Sequence, residues 1–185
     1  MTIALNLNVR DDLKHHTVAD IVDVQSDASL PYAVCALNIT GDLNVGMMMR
    51  SACILGAEQF IIYGLRRYDR RSTVGVQNYI PVLRVEGRED ETTLDPVKFH
   101  VLMEELGYFP VFVEQGGTPL HEMDWSFTDK KICLVFGNEG DGIPTEFTTG
   151  NQVVSVPQRG VTRSFNVSAA AAIVAHDLVN RKFGW

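Results

Sequence analysis

Four short apolar runs, each about the length of a strand buried on both faces, constrain this chain more than any other feature. They are YAVCAL (Tyr32–Leu37), QFIIYG (Gln59–Gly64), FPVFVE (Phe109–Glu114) and KICLVF (Lys131–Phe136). After the first, Val45, Met48, Met49 and Ala52 fall at i, i+3, i+4 and i+7, and Gly56 ends the pattern. That spacing predicts a helix from about Asn44 to Leu55, with its methionines in the core. A second helix is expected over Asp95–Leu106, started after Thr93 and Pro96 and stopped at Gly107. A third is expected from about Ser164 to Phe183, where alanines favour helix and permit close approach of another backbone. Val82–Val85 and VVSVP (Val153–Pro157) read as shorter strands. Strands alternating with helices predict an α/β fold, a mainly parallel sheet flanked by helices on both faces.

At 185 residues the chain is expected to form one domain rather than two with separate cores. Residues 1–30 show no clean period beyond a short helix around His16–Val24; we read them as a flanking segment and 31–185 as the functional domain. Hydrophobic residues at 45% and charged residues at 21% place the chain among ordinary globular proteins, not disordered or membrane ones. No apolar stretch nears the roughly 18 to 20 residues that span a bilayer, and no basic segment leads into an apolar run at the N-terminus. A cytoplasmic protein with no membrane partner is expected. Cys35, Cys53 and Cys133 are odd in number and far apart, which fits neither a disulfide framework nor a zinc site. They read as small buried apolar residues, and no metal is expected. A net charge of −7 excludes a general nucleic-acid coat protein, because such binding rests on neutralising phosphates. Any RNA contact must be a local patch, and the candidate is LRRYDRR, where Arg66, Arg67, Arg70 and Arg71 surround Tyr68.

Parallel sheets bind ligands at the carboxyl ends of their strands, so the loops that follow the strands matter most. In LNVGMMMR, Asn44 reads as a helix cap, Gly46 permits a close backbone approach, and Arg50 lies about two turns further on. In GNEGDGIP, from Gly137 to Pro144, three glycines free the backbone to wrap a ligand. Their GxxGxG spacing, with no Gly-Lys-Ser/Thr, removes support for nucleotide hydrolysis. In VPQRGVTRSFNVS, which joins a short strand to the last helix, Arg159, Arg163, Ser164, Asn166 and Ser168 gather. A helix beginning near Ser164 or Asn166 needs such polar caps.

Together these loops resemble the three signature motifs of the SpoU (TrmH-like) group in the SPOUT superfamily, RNA ribose 2′-O-methyltransferases. NVGMMMR resembles the first motif, LVFGNEGDGIP the second and VPQRGVTRSFNVSAAAAI the third, so the likeness runs from Pro31 to the C-terminus. Phe165 departs from the usual Leu, and Gln158 stands where many members have Met. The resemblance implies a C-terminal trefoil knot, a homodimer, and S-adenosyl-L-methionine (AdoMet) as methyl donor. It implies cofactor contacts from Phe136, Gly137, Asn138, Glu139, Gly140, Val156, Gln158, Ser164 and Phe165. It makes Arg50 the catalytic residue, with Asn44, Glu139, Ser164 and Asn166 organising the pocket around it. The arginines at 66, 67, 70 and 71, with Arg163, become RNA-binding candidates. The partner is then RNA, with tRNA preferred, rRNA open and an accessory protein conceivable. The alternatives are a catalytically silent RNA-binding homologue and a base methyltransferase of a neighbouring branch.

Overall fold

The structure, a computed structural model, describes residues 8–64, 68–87 and 93–185. In chain order its elements are α1 (Val18–Asp27), β1 (Leu30–Leu37), α2 (Asp42–Ile54), β2 (Ala57–Tyr63), α3 (Arg70–Thr73) and β3 (Val82–Val85). They continue with α4 (Pro96–Glu105), β4 (Tyr108–Pro119), β5 (Lys131–Phe136), α5 (Thr145–Thr148), β6 (Gln152–Ser155) and α6 (Val167–Leu178). A π-helical turn over Val179–Phe183 extends α6.

The six strands form one parallel sheet in the order β3-β2-β1-β5-β4-β6. Every residue of β1 from Tyr32 to Leu37 is buried, which explains why YAVCAL is apolar without alternation. Val34 and Ala36 meet Met48 and Met49 of α2, Val174 and Leu178 of α6, and Ile21 of α1 in one layer of the core. Ala33, Cys35 and Leu37 turn to the other layer, with Phe99 and Met103 of α4 and Phe147 of α5. All three cysteines are free and buried. Phe99 packs edge-on against Tyr63 and Phe147, with centroids 5.1 and 5.5 Å away.

Helix α2 starts at Asp42, two residues before the predicted start, with Gly41 rather than Asn44 as its cap. Val45, Met48, Met49 and Ala52 are buried as the spacing predicts, whereas Met47 is half exposed. A Cβ on Gly46 would lie 1.8 Å from Ser72 Oγ, so the glycine is what lets α3 seat against α2. Helix α6 starts at Val167, the later of the two starts the sequence offered, because Asn166 caps it by accepting the N–H groups of Ser168 and Ala169. Strand β4 runs past its predicted end at Glu114 to Pro119. Both Val113 and Thr118 pair with Val154, so Glu114–Gly117 leave the ladder as a bulge before pairing resumes.

From β1 the chain leads through α2 to β2 on one side, and from β5 through α5 to β6 on the other. The loops that follow β1 and β5 therefore meet at adjacent strand ends, where Glu139 and Asn138 bond to Thr40, Gly41 and Asn38.

Candidate active site

A cavity of about 740 Å³ lies at the carboxyl ends of β4, β5 and β6, within the size range of small-ligand sites. Its walls are the end of β4, the glycine-rich loop after β5, the segment between β6 and α6, and Asn44 from the first turn of α2. Phe136, Gly137, Asn138, Glu139, Gly140, Val156, Gln158, Ser164 and Phe165 all line it, as do Asn44, Arg163 and Asn166.

A chain of hydrogen bonds joins the three loops. Glu139 accepts from Asn44 Nδ2 at 2.7 Å and from the backbone N–H groups of Thr40 at 2.9 Å and Gly41 at 3.1 Å. The Glu139 carboxylate thus takes the place of a side-chain cap at the start of α2, where the helix dipole also favours a negative charge. Partial burial pushes its carboxyl up, but the donors from Asn44, Thr40 and Gly41 outweigh this and hold it below the ordinary value. Asn44 Oδ1 in turn accepts from Asn166 Nδ2 at 3.0 Å. Asn44 is therefore a bridge between the second and third loops, not a helix cap.

The glycine-rich loop is pinned from inside by Asn138, whose Nδ2 donates to the carbonyl of Asn38 at 3.0 Å and whose Oδ1 accepts from Gly140 N–H at 2.8 Å. Its backbone pairs with Gly142 in both directions, closing a tight turn. A Cβ on Gly137 would lie 2.6 Å from the Gly142 backbone, so no side chain fits there. Across the cavity Gln158, with its amide nitrogen assigned by its neighbours, donates to the carbonyls of Arg163 and Thr162 at 3.1 and 3.2 Å. Arg163, which the sequence grouped with RNA contacts, reaches the pocket wall, with Nη2 3.4 Å from Gly140 O.

Arg50 lies apart from these groups. It is exposed, does not line the cavity and makes no hydrogen bond or ion pair among the described residues. It falls on a stripe of α2 with Leu43, Met47 and Ile54, which are 58%, 50% and 69% exposed. On the neighbouring α6 and its π-helical extension, Ala169, Ile173, His176 and Asn180 form an exposed stripe at the same spacing. Two adjacent helices thus present one largely apolar face with Arg50 within it.

Arg66 and Arg67 lie outside the described residues. Arg70 and Arg71 are exposed at the start of α3, and Arg71 is tied to Asp69 by Nη2 at 2.6 Å and Nε at 3.0 Å. The Asp69 N–H donates to the carbonyl of Asp42 at 3.3 Å, which fastens the start of α3 to the start of α2 beside the cavity. Arg84, on the edge strand β3, stacks over Tyr68 at 4.8 Å from the ring centroid. A lone arginine within a strand carries no sequence signal that would have singled it out. Glu114 and Gln115 were missed in the same way, since EQGG reads as the end of a strand and a turn; both line the cavity. Among the described residues no group of three or more His, Cys, Asp or Glu side chains is arranged to hold a metal ion. None of their helices is long and apolar enough to cross a membrane.

Fold and site together define an α/β protein with a small-ligand-sized cavity among the loops at the carboxyl ends of β4, β5 and β6. Residues 31–176 match the SpoU rRNA Methylase family, and the chain belongs to it. It is 27% identical over 146 residues to the mouse tRNA (guanosine(18)-2′-O)-methyltransferase TARBP1, a match covering 76% of this chain and 9% of that protein. The crystal structure of the A. aeolicus TrmH/SpoU tRNA modifying enzyme superposes with a TM-score of 0.72 at 20% identity, covering 89% of this chain and 82% of that one. The SpoU methyltransferase AviRb from Streptomyces viridochromogenes, in complex with AdoMet, gives 0.67 at 24% identity, covering 84% and 58%. The chain spans less than two thirds of the length of the first curated relatives it matches.

Proposed function

We propose that this protein transfers the methyl group of AdoMet to a ribose 2′-hydroxyl of RNA, with tRNA the preferred substrate and rRNA the other. The observation that carries this is the cavity at the carboxyl ends of β4, β5 and β6, where Asn44 bonds to both Glu139 and Asn166 beside the glycine-rich loop. The pocket suits AdoMet: Phe136, Val156 and Phe165 offer apolar surface for a base, and glycines leave backbone groups within reach of polar edges. AdoMet, when bound, supplies an electrophilic methyl on a sulfonium. The 2′-oxygen then forms the new C–O bond as the C–S bond breaks, and the hydroxyl proton must leave.

Glu139 is not the group that takes this proton, because its carboxylate is committed to Thr40, Gly41 and Asn44. A guanidinium, which stays protonated at neutral pH, is also a poor base. We assign Arg50 to holding the neighbouring phosphate and stabilising the developing 2′-alkoxide, with the proton passing to phosphate or water. Arg50 lies outside its own pocket on an apolar face, which supports a homodimer packed through α2 and α6, in which Arg50 of one copy completes the pocket of the other. Arg70 and Arg84, with the rest of the arginine-rich segment, form the surface for RNA phosphates. Family membership also supports a trefoil knot in the C-terminal segment, a rare exception to unknotted connections. A cytoplasmic setting, and an accessory protein that helps select the RNA, complete this reading.

The test is transfer of labelled methyl from AdoMet to total unmodified RNA, followed by digestion to nucleosides, with Arg50→Ala as control. A 2′-O-methylated nucleoside that disappears in the control is expected. A methylated base would move the reaction to another acceptor atom. AdoMet binding without transfer to any RNA tested would favour the silent RNA-binding reading.

A further inference from the structure

The Glu114–Gln115 pair belongs to none of the three motif loops, yet it is bonded to two of them. The bulge in β4 between Val113 and Thr118 carries both residues out of the ladder and over the carboxyl edge of the sheet. Glu114 Oε2 accepts the N–H of Ile143 at 3.0 Å, and Oε1 accepts the N–H of Gln115 at 2.8 Å. A Cβ on Gly142, where φ is +71°, would lie 2.5 Å from Glu114 Oε2, so this carboxylate sits directly on the glycine-rich backbone. Gln115 Nε2 donates to the carbonyl of Arg163 at 2.9 Å, and the Arg163 side chain reaches back to Gly140 O at 3.4 Å. The links close a ring: β4 to the second loop, the second loop to the third, and the third back to β4.

Besides this ring the third loop is held by Asn166 to Asn44 and braced from within by Gln158, which shares the Arg163 carbonyl with Gln115. Every residue from Pro157 to Asn166 is exposed, so its position depends on a few hydrogen bonds rather than on burial. We propose that Glu114 and Gln115 are positioning residues that latch the second and third loops together and so set how tightly, and for how long, AdoMet is held. The inference rests on AdoMet being the ligand of this cavity.

The variants to make are Gln115→Glu, which keeps the shape of the side chain and removes its donor, and Gln115→Ala. AdoMet affinity and dissociation rate are measured on the full chain by titration and stopped flow, beside the melting temperature of the ligand-free protein. Loss of one exposed hydrogen bond should leave that temperature within about 1 °C of wild type. AdoMet binding should weaken about 3- to 10-fold, mainly through faster dissociation. Unchanged affinity and dissociation in both variants, with the wild type binding AdoMet, would reject the latch alone. Weaker binding that tracks a large fall in melting temperature would make Gln115 a structural prop and also reject it. A wild type that binds no AdoMet overturns the functional reading, and the latch with it.

Discussion

Glu139 is charged in a partly buried position only because Asn44 and the N–H groups of Thr40 and Gly41 are there to receive it. That makes its contribution pH-dependent with a definite sign. Its folded-state pKa lies below the ordinary 4.5, so the stability it lends is complete above that value and is lost as pH falls through the depressed one. Glu139→Gln should be less stable than wild type at neutral pH, with the difference shrinking in acid; urea midpoints measured from about pH 7 down to pH 3 read this directly. A constant difference across that range would mean that the carboxylate charge is not what joins the loops. Val74 is the reverse case, a residue poorly matched to its place. It has φ +51°, in the left-handed region where a β-branched side chain is strained, at the end of α3. Val74→Asn should raise stability by about 1 kcal/mol, seen as a higher melting temperature; an unchanged value would show that contacts of the Val74 side chain offset the strain.

Among the elements, the contact of α2 with α3 gives the clearest test of packing. Alanine normally favours a helix over glycine by about 1 kcal/mol, yet Gly46→Ala should cost about 1 to 3 kcal/mol because its methyl would overlap Ser72. Adding Ser72→Gly should recover most of that loss in thermal unfolding; a stabilising Gly46→Ala would show that α3 does not sit against α2. The strands β3 and β5 begin and end where the sequence reading set them, and the buried face of α2 follows its spacing. These features are local, since periodicity reports which side of a segment meets the core. What escaped notice depends on partners far along the chain. Asn44 reads as a cap until Glu139 and Asn166 are brought beside it, and EQGG reads as a turn until β6 resumes pairing beyond it. The motifs did identify residues that line one cavity, but not that Arg50 would stand off it. Six residues beyond Asn44 puts Arg50 about 120° away around the helix, a separation present in the spacing from the start.

For the whole molecule, the exposed face of α2 and α6 carries the prediction. If two copies pair through this face, Met47→Glu with Ile173→Glu should shift the protein from dimer to monomer in sedimentation velocity while leaving the fold intact; an unchanged sedimentation coefficient would remove this face from any assembly. If Arg50 serves the partner's pocket, equal amounts of Arg50→Ala and Asn166→Ala chains, each inactive alone, should on mixing regain about a quarter of wild-type turnover. No recovery would return Arg50 to its own pocket. The bonds that join the loops also have a consequence for how the protein is made. They span 95 residues from Asn44 to Glu139 and 122 from Asn44 to Asn166. A chain emerging from the ribosome exposes Asn44 long before either partner exists, so no amino-terminal fragment can acquire the pocket during synthesis. A ligand of this cavity acts only on molecules translated as far as α6 and folded, so its concentration in the cell adjusts how long those molecules last without rescuing any partial product.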